Sequence, residues 1–141
     1  MPKDYFLEMI EELGRVLRAV ISAKRSEPAR ALQEINTVFT ATKFRTKDFF
    51  DSLSTDELET FITEHDVHYS TLDVLTDLLF EEADIRLNMG DYTTVQRLIN
   101  KIDFLLSYIS KKEEIAKVLS LKRGPQKERL QFLRTSTSTH K

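Results

Sequence analysis

The chain has 141 residues, of which 40% are hydrophobic and 31% are charged, and it contains no cysteine. These proportions are typical of one folded domain, and the lack of cysteine excludes disulfide frameworks, thiolate metal sites and cysteine nucleophiles. The sequence has only three glycines and three prolines, so long helices are expected, because both residues interrupt helices.

Apolar residues recur at helical spacing along most of the chain. This spacing predicts helices over residues 4–24, 28–44, 47–53, 55–64, 70–89, 92–110 and 112–121, and a weaker helix that carries Leu130, Phe132 and Leu133. Asp4 is expected to cap the first helix, and Ser54 and Glu57 have the spacing of a capping box. Gly90 is expected to end the fifth helix with a positive φ, and Asp91 to cap the sixth. No segment alternates like a β-strand, which predicts an all-α fold.

The sixth predicted helix has the clearest apolar stripe. Its members are Val95, Leu98, Ile99, Ile102, Leu105, Leu106 and Ile109. The three at its centre, Leu98, Ile102 and Leu106, are expected to be buried. The first predicted helix has a wider stripe. It is formed by Phe6, Ile10, Leu13, Leu17, Val20 and Ile21, and is widened by Leu7, Met9, Val16 and Ala19. A helix that is apolar over so much of its circumference is expected to lie between neighbours.

Residues 1–134 are expected to form a single all-helical domain, followed by a disordered, low-complexity tail over residues 135–141. The N-terminal stretch carries acidic residues through its apolar part, unlike a signal peptide. No apolar run reaches the roughly 20 residues that cross a bilayer. A cytoplasmic location is therefore expected.

The net charge of −2 conceals an uneven distribution of charge. Residues 48–91 contain one basic and thirteen acidic side chains, a balance of −12, whereas residues 111–141 contain nine basic and three acidic ones, a balance of +6. Such asymmetry is a lead to charged partners, and the two segments are the nearest candidates for each other.

The fifth predicted helix carries an acidic stripe. Its polar members, Asp73, Asp77, Glu81, Asp84 and Asn88, fall within about 80° of one another on a helical wheel, opposite Leu72, Leu75, Leu79 and Ala83. Like charges four residues apart destabilise a helix by about 0.2–0.5 kcal/mol per pair. The stripe is therefore either a solvated face or a groove for a basic segment. Together with Phe80, its five members form the candidate partner-binding site.

The basic segment 111–141 has two interpretations. It could lie on the acidic stripe, in the same molecule or in a symmetric neighbour, or it could contact nucleic acid or anionic lipid. The net acidic charge, and the lack of aromatic residues among the basic ones beyond Phe132, disfavour nucleic acid. We expect a protein or peptide partner, with a homodimer as one arrangement, and no nucleic acid or membrane contact.

The segment NMGDYTTVQRLINKIDFL, residues 88–105, resembles the turn and second helix of a tetratricopeptide repeat. Ala83 falls at the small position of that repeat's first helix, whereas Val95 and Ile102 stand where the repeat prefers alanine, and no proline closes the unit. The resemblance covers a quarter of the chain. It implies stacked antiparallel helical hairpins, with the last helix as a C-terminal cap, because such hairpins bury their faces by stacking on neighbours.

The order of segments also resembles an uncharacterised bacterial all-helical family of unknown function. In that family an N-terminal helix is followed by a short helical insert rich in leucine, serine and acidic residues, and then by a repeat-like hairpin. The resemblance implies a fold and no activity.

Candidate chemical sites are few. His65 and His68 stand three residues apart beside carboxylates and could bind a metal, but they lie between predicted helices and match no established metal motif. We interpret them as loop residues. No nucleophile elbow or phosphate-binding loop is present. We expect no catalytic residue, metal or cofactor.

These observations predict a non-enzymatic helical interaction or scaffold module. The alternative is a small-molecule or metal-dependent activity in a cavity of the helical bundle, which would require a cavity lined by convergent carboxylates and histidines.

Overall fold

The computed structural model describes residues 2–138, and for residues 2–4 it describes the backbone alone. Within this range all regular structure is helical, as expected. The seven α-helices are α1 (Pro2–Ala23), α2 (Pro28–Val38), α3 (Lys47–Ser52), α4 (Thr55–Glu64), α5 (Tyr69–Asn88), α6 (Tyr92–Ala116) and α7 (Arg123–Ser138). In this part of the chain, no helix is long and apolar enough to span a membrane.

Helix α5 lies at the centre of the structure. It packs against α6, α1 and α2, while α1 also packs against α2 and α6 against α7. Phe6 of α1 contacts His68 at the start of α5, and Lys24, just after α1, contacts Glu81 near the end of α5. Helices α1 and α5 therefore run in the same direction.

Helix α7 also runs parallel to α5. Arg123, its first residue, contacts Asp73 near the start of α5, and Arg129 contacts Asp84 about three turns further along α5. Helices α1 and α7 thus flank α5 on the side that carries its acidic residues.

The apolar stripe of α6 forms the middle of the core. Leu98, Ile102 and Leu106 are buried, as predicted. The stripe of α1 is narrower than predicted: Leu13, Val16 and Val20 are buried, whereas Ile21 is half exposed. α1 is covered on one side only, by α2 and α5.

The second helix is shorter than predicted. α2 ends at Val38, a 3₁₀ turn follows at Phe39–Ala41, and Phe44 lies beyond it. The Thr42 side chain accepts a hydrogen bond from the Phe44 amide and donates one to the Phe39 carbonyl. This local bonding competes with the helix and turns Phe44 inward, where its ring packs edge-on against that of Phe50.

The turn between α5 and α6 has the predicted geometry. Gly90 has a φ of +76°, and the Asp91 amide donates to the Arg86 carbonyl, as at a Schellman helix end. The Asp91 carboxylate accepts a hydrogen bond from the Thr94 amide and caps α6. The capping box of Ser54 and Glu57 at the start of α4 is also present.

The connection between α6 and α7 differs from the prediction. The expected break at Ser110 is absent, α6 continues to Ala116, and no helix extends to Leu121. Lys117 instead has a φ of +57°, and the Val118 amide donates to the Glu113 carbonyl. Residues 117–122, which we call the elbow, then lead into α7.

Both ends of the chain also differ from the prediction. α1 begins at Pro2, so Asp4 lies inside the helix rather than at its cap. α7 extends to Ser138, and Thr137 is buried, with its hydroxyl donating to the Leu133 carbonyl. Residues 135–138 of the expected disordered tail are thus helical, and residues 139–141 lie outside the described range.

Candidate functional site

The acidic face of α5, formed by Asp73, Asp77, Glu81 and Asp84, is covered by basic side chains of the same molecule. Three of these side chains come from the elbow and α7, namely Lys122, Arg123 and Arg129, and the fourth is Lys24, which follows α1. The basic segment was expected to lie on the acidic stripe either of the same molecule or of a symmetric neighbour. In the structure it lies on the acidic face of its own molecule.

The N-terminal half of the acidic face contacts the elbow and the first turn of α7. Lys122 Nζ lies 3.1 Å from Asp73 Oδ1 and 2.8 Å from Asp77 Oδ2. Arg123 Nη1 lies 3.0 Å from Asp73 Oδ1, and the same guanidinium donates two hydrogen bonds to the buried Glu113 carboxylate on α6. Arg123 therefore joins α5, α6 and α7, with the bidentate geometry that makes arginine–carboxylate pairs strong.

The C-terminal half is held from both sides. Lys24 Nζ lies 2.6 Å from Glu81 Oε1 and 3.1 Å from Asp84 Oδ2. Arg129 on α7 contacts the same two carboxylates, and its guanidinium lies 4.9 Å from the centre of the Phe80 ring. Glu81 and Asp84 thus connect α1 to α7 across α5.

The pKa values reflect this pairing. Burial raises the pKa of the Asp73 carboxyl, but the hydrogen bond from Arg123 and the charges of Lys122 and Arg123 outweigh it and hold this pKa below its ordinary value. Burial alone would lower the pKa of Lys24 and of Arg129. The facing carboxylates outweigh this effect, so both pKa values are raised. The charged forms of all three groups are therefore stabilised in the folded protein.

The remaining candidate site residues lie in different surroundings. Phe80 is fully buried, so its ring lies in the core under the acidic face and not at the surface. Asn88 is exposed beyond the paired carboxylates. The apolar contacts that accompany the ion pairs come from Leu130 and Leu133, which are buried in the same core as Phe80, whereas Phe132 is exposed.

Sequence reasoning missed a second charged cluster, which meets α5 at Glu82, on a different face of the helix from Asp73, Asp77, Glu81 and Asp84. Lys47, Glu82 and Lys101 are all buried. Lys47 Nζ lies 2.8 Å from Asp51 Oδ1 and 3.0 Å from Glu82 Oε1. Burial raises the pKa of Glu82 despite the charge of Lys47. The sequence offers no signal for this cluster, because neither lysine falls in a recognisable motif.

Lys101 lies at the inner wall of an open groove of about 660 Å³ between α6 and the α3–α4 connection. Its ammonium donates to the Phe50 carbonyl at 2.6 Å and lies over the Phe50 ring. Burial lowers its pKa to about 8. The Phe50 carbonyl, which also accepts a hydrogen bond from the Leu53 amide at the end of α3, is thus joined to Lys101, and Lys101 fastens this short helix to α6.

His65 and His68 stand at helix ends. His65 follows α4 and stacks on the Phe61 ring, while His68 Nδ1 accepts a hydrogen bond from the Ser70 amide at the start of α5. Over residues 2–138, no group of three or more His, Asp and Glu side chains has the geometry to hold a metal ion.

The elbow exposes apolar side chains. Leu119 and Leu121 are 89% and 86% exposed, and Val118 and the nearby Ile115 are also exposed. Monomeric proteins rarely place several large apolar side chains together in solvent, and such patches commonly mark contacts with partners.

No family model, curated protein or solved structure matches the chain.

Proposed function

We propose that the protein is a non-enzymatic helical interaction module whose acidic face on α5 recognises a basic amphipathic helix. One observation carries this proposal: four carboxylates in a row along α5 are each paired with a basic side chain, and three of those basic side chains belong to one helix and its approach. A face that orders α7 in this way has the charge and spacing to order another helix of the same chemistry.

The tetratricopeptide-like arrangement is part of the proposal. α1 with α2 and α5 with α6 are two hairpins, and α7 lies in the place of a closing helix. In such stacks the first helices of successive hairpins line one shared surface. The parallel directions of α1, α5 and α7, and the position of the acidic face between α1 and α7, support this comparison. The partner is a protein or peptide.

The test supplies the basic helix from outside. In the full chain, the double substitution Arg123→Glu and Arg129→Glu places acidic residues of α7 opposite the acidic face. Repulsion between the like charges should then free the acidic face from α7. A fluorescent peptide of residues 117–138 should then bind this variant, and binding should weaken as salt rises, because the screening length falls from about 10 Å at 0.1 M to about 3 Å at 1 M. Fluorescence anisotropy measures the affinity, and circular dichroism checks that the variant remains helical.

Two further peptides make the result specific. The Lys127→Glu peptide has the same change of charge at an exposed residue that pairs with no carboxylate of the acidic face, so it should lose less affinity than the Arg129→Glu peptide. Equal losses would mean that only net charge is recognised. No binding of the unaltered peptide to the helical variant would reduce the acidic face to a structural ion-pair network.

A further inference from the structure

The elbow combines three features that disagree with its bent conformation. Lys117 is a non-glycine residue with left-handed backbone, a conformation that brings Cβ too close to the following carbonyl oxygen. The elbow contains neither glycine nor proline, and the sequence from Lys112 to Leu121 predicts a continuous helix. Its apolar side chains are exposed rather than buried. The local preference of these residues for a helix conflicts with the bent structure of the elbow. In natural sequences, local preference and folded structure usually agree.

A straight elbow would remove the conflict. If α6 continued to Leu121, it would gain about one and a half turns, and Lys117 would have ordinary helical backbone. Ile115, Val118 and Leu119 have the i, i+3, i+4 spacing that places side chains on one face of a helix. Gly124 and Pro125 would remain as the break before the rest of α7.

A straight elbow carries α7 away from its own acidic face. In one molecule this would remove Lys122, Arg123 and Arg129 from the carboxylates of α5, leave Lys24 as the remaining basic side chain of the acidic face, and expose Leu130 and Leu133. A second copy supplies both the basic partners and the apolar cover, because its α7 has the same basic and apolar side chains at the same spacing. Exchange of an identical element is a low-cost route to a symmetric dimer, since the contacts that α7 makes in the closed form are made again between chains.

We infer that two copies of this chain form a dimer by exchanging α7: each α7 lies on the acidic face of the other copy, and the straightened elbows pack together through Ile115, Val118 and Leu119. This inference rests on the proposed function, because it identifies the basic helix as α7 of a second copy. Within the dimer, the apolar side chains of the two elbows contact each other, whereas in the monomer they are exposed.

The experiment uses cross-linking between α6 and α7. Asp103 on α6 and Arg134 on α7 form an exposed ion pair, with Oδ2 and Nη2 3.3 Å apart, and the chain has no native cysteine. One full-length chain carries Asp103→Cys and a second carries Arg134→Cys. The two are co-expressed and treated with a short bismaleimide. Exchange of α7 yields a cross-linked pair of two different chains, whereas the closed monomer yields none.

Light scattering on the unaltered chain gives the second measurement. With exchange, the mass should rise with concentration from 16.5 kDa towards twice that value. Lys117→Gly removes the advantage of straightening, because glycine adopts left-handed backbone without cost, and should weaken the dimer about tenfold or more. Arg45→Gly is the matched control: Arg45 is also left-handed, with a φ of +69°, but lies far from the elbow in sequence and should leave dimerisation unchanged.

The outcomes separate this inference from the proposed function. Cross-linking between chains, together with a weaker Lys117→Gly dimer, supports exchange. A monomer at all concentrations without cross-linking between chains overturns it, and so does a dimer that shows none, because such a dimer forms without exchange. In either negative case, binding of the separate α7 peptide would still support the acidic face as a site for basic helices. If the peptide fails to bind while chains cross-link, the acidic face is a structural contact that serves only the dimer.

Discussion

Two helix ends in this protein have the same hydrogen-bond pattern and different residues. After α5, Gly90 has left-handed backbone and the Asp91 amide donates to the carbonyl five residues earlier; after α6, Lys117 and the Val118 amide do the same. The first turn passes directly into a capped helix, and the second into the exposed elbow. Glycine closes a helix at no steric cost, whereas lysine closes it only if other contacts offset the cost.

Those other contacts are the ion pairs beside the elbow. Lys122 and Arg123 contact Asp73, and Arg123 also binds Glu113 in the last turns of α6. The turn at Gly90 is thus determined by its own residues, while the elbow depends on the acidic face that α7 covers. A turn of the second kind can open when its contacts are supplied elsewhere.

The largest expected effect tests the packing of α6 between the two turns. Ile102→Ala should lower the free energy of unfolding by about 2–5 kcal/mol, because the side chain is fully buried. Ile115→Ala, the same change near the elbow, should stay within about 0.5 kcal/mol in dilute solution, because that side chain is exposed. Urea denaturation measures both. A cost below about 1 kcal/mol at Ile102 would show that the buried face of α6 is assigned incorrectly.

The substitutions Gly90→Lys and Lys117→Gly, which give each turn the residue of the other, should have opposite effects on stability. Gly90→Lys places a lysine in left-handed backbone and should destabilise the protein by about 1–2 kcal/mol. Its new side chain meets no obstacle, since nothing lies within 4 Å of a Cβ at this position. The cost is therefore one of backbone conformation alone.

The reciprocal change, Lys117→Gly, should stabilise the monomer by up to about 1 kcal/mol. Relief of the left-handed conformation is partly offset because glycine gives the unfolded chain more freedom. Thermal melting of both variants at one low concentration makes the comparison. Equal signs would show that the two turns are not equivalent in backbone geometry.

The smallest effect concerns the carboxylate beside each turn. Asp73→Asn should cost about 1 kcal/mol or less at pH 7, because it weakens two ion pairs, whereas Asp91→Asn should be nearly neutral, because asparagine also caps helices. The folded-state pKa of Asp73 is lowered, so its contribution is present above the unfolded-state pKa and is lost as pH falls below about 4. The difference between Asp73→Asn and the unaltered chain should shrink in that range in denaturation curves at pH 3 and pH 7. A constant difference would mean that Asp73 acts through shape rather than charge.

Local signals predicted one turn and missed the other. Gly90 and Asp91 have intrinsic preferences that a single sequence reveals, and the same holds for Ser54 and Glu57. The residues around Lys117 prefer a helix, so the elbow depends on α5, which is distant in sequence. The end of α2 was missed for a related reason: it depends on where Phe44 packs.

The candidate site was predictable in composition but not in arrangement. The acidic stripe and the basic segment follow from charge alone, whereas the role of Lys24 requires the knowledge that α1 lies beside α5. The buried Lys47, Glu82 and Lys101 could not be found from sequence. Lysines and glutamates are mostly exposed in proteins, and only the fold brings these three together.

The parallel packing of α1 on α5 has a consequence for synthesis. Part of the buried face of α1 packs on α5, which begins at Tyr69, more than forty residues after α1 ends. A ribosome adds about 5–20 residues per second, so α1 leaves it several seconds before α5 is complete. Helices α5 and α6 follow each other directly and pack together, a type of contact that forms quickly. The face of α1 that packs on α5 therefore stays uncovered on the nascent chain for several seconds after α1 is made.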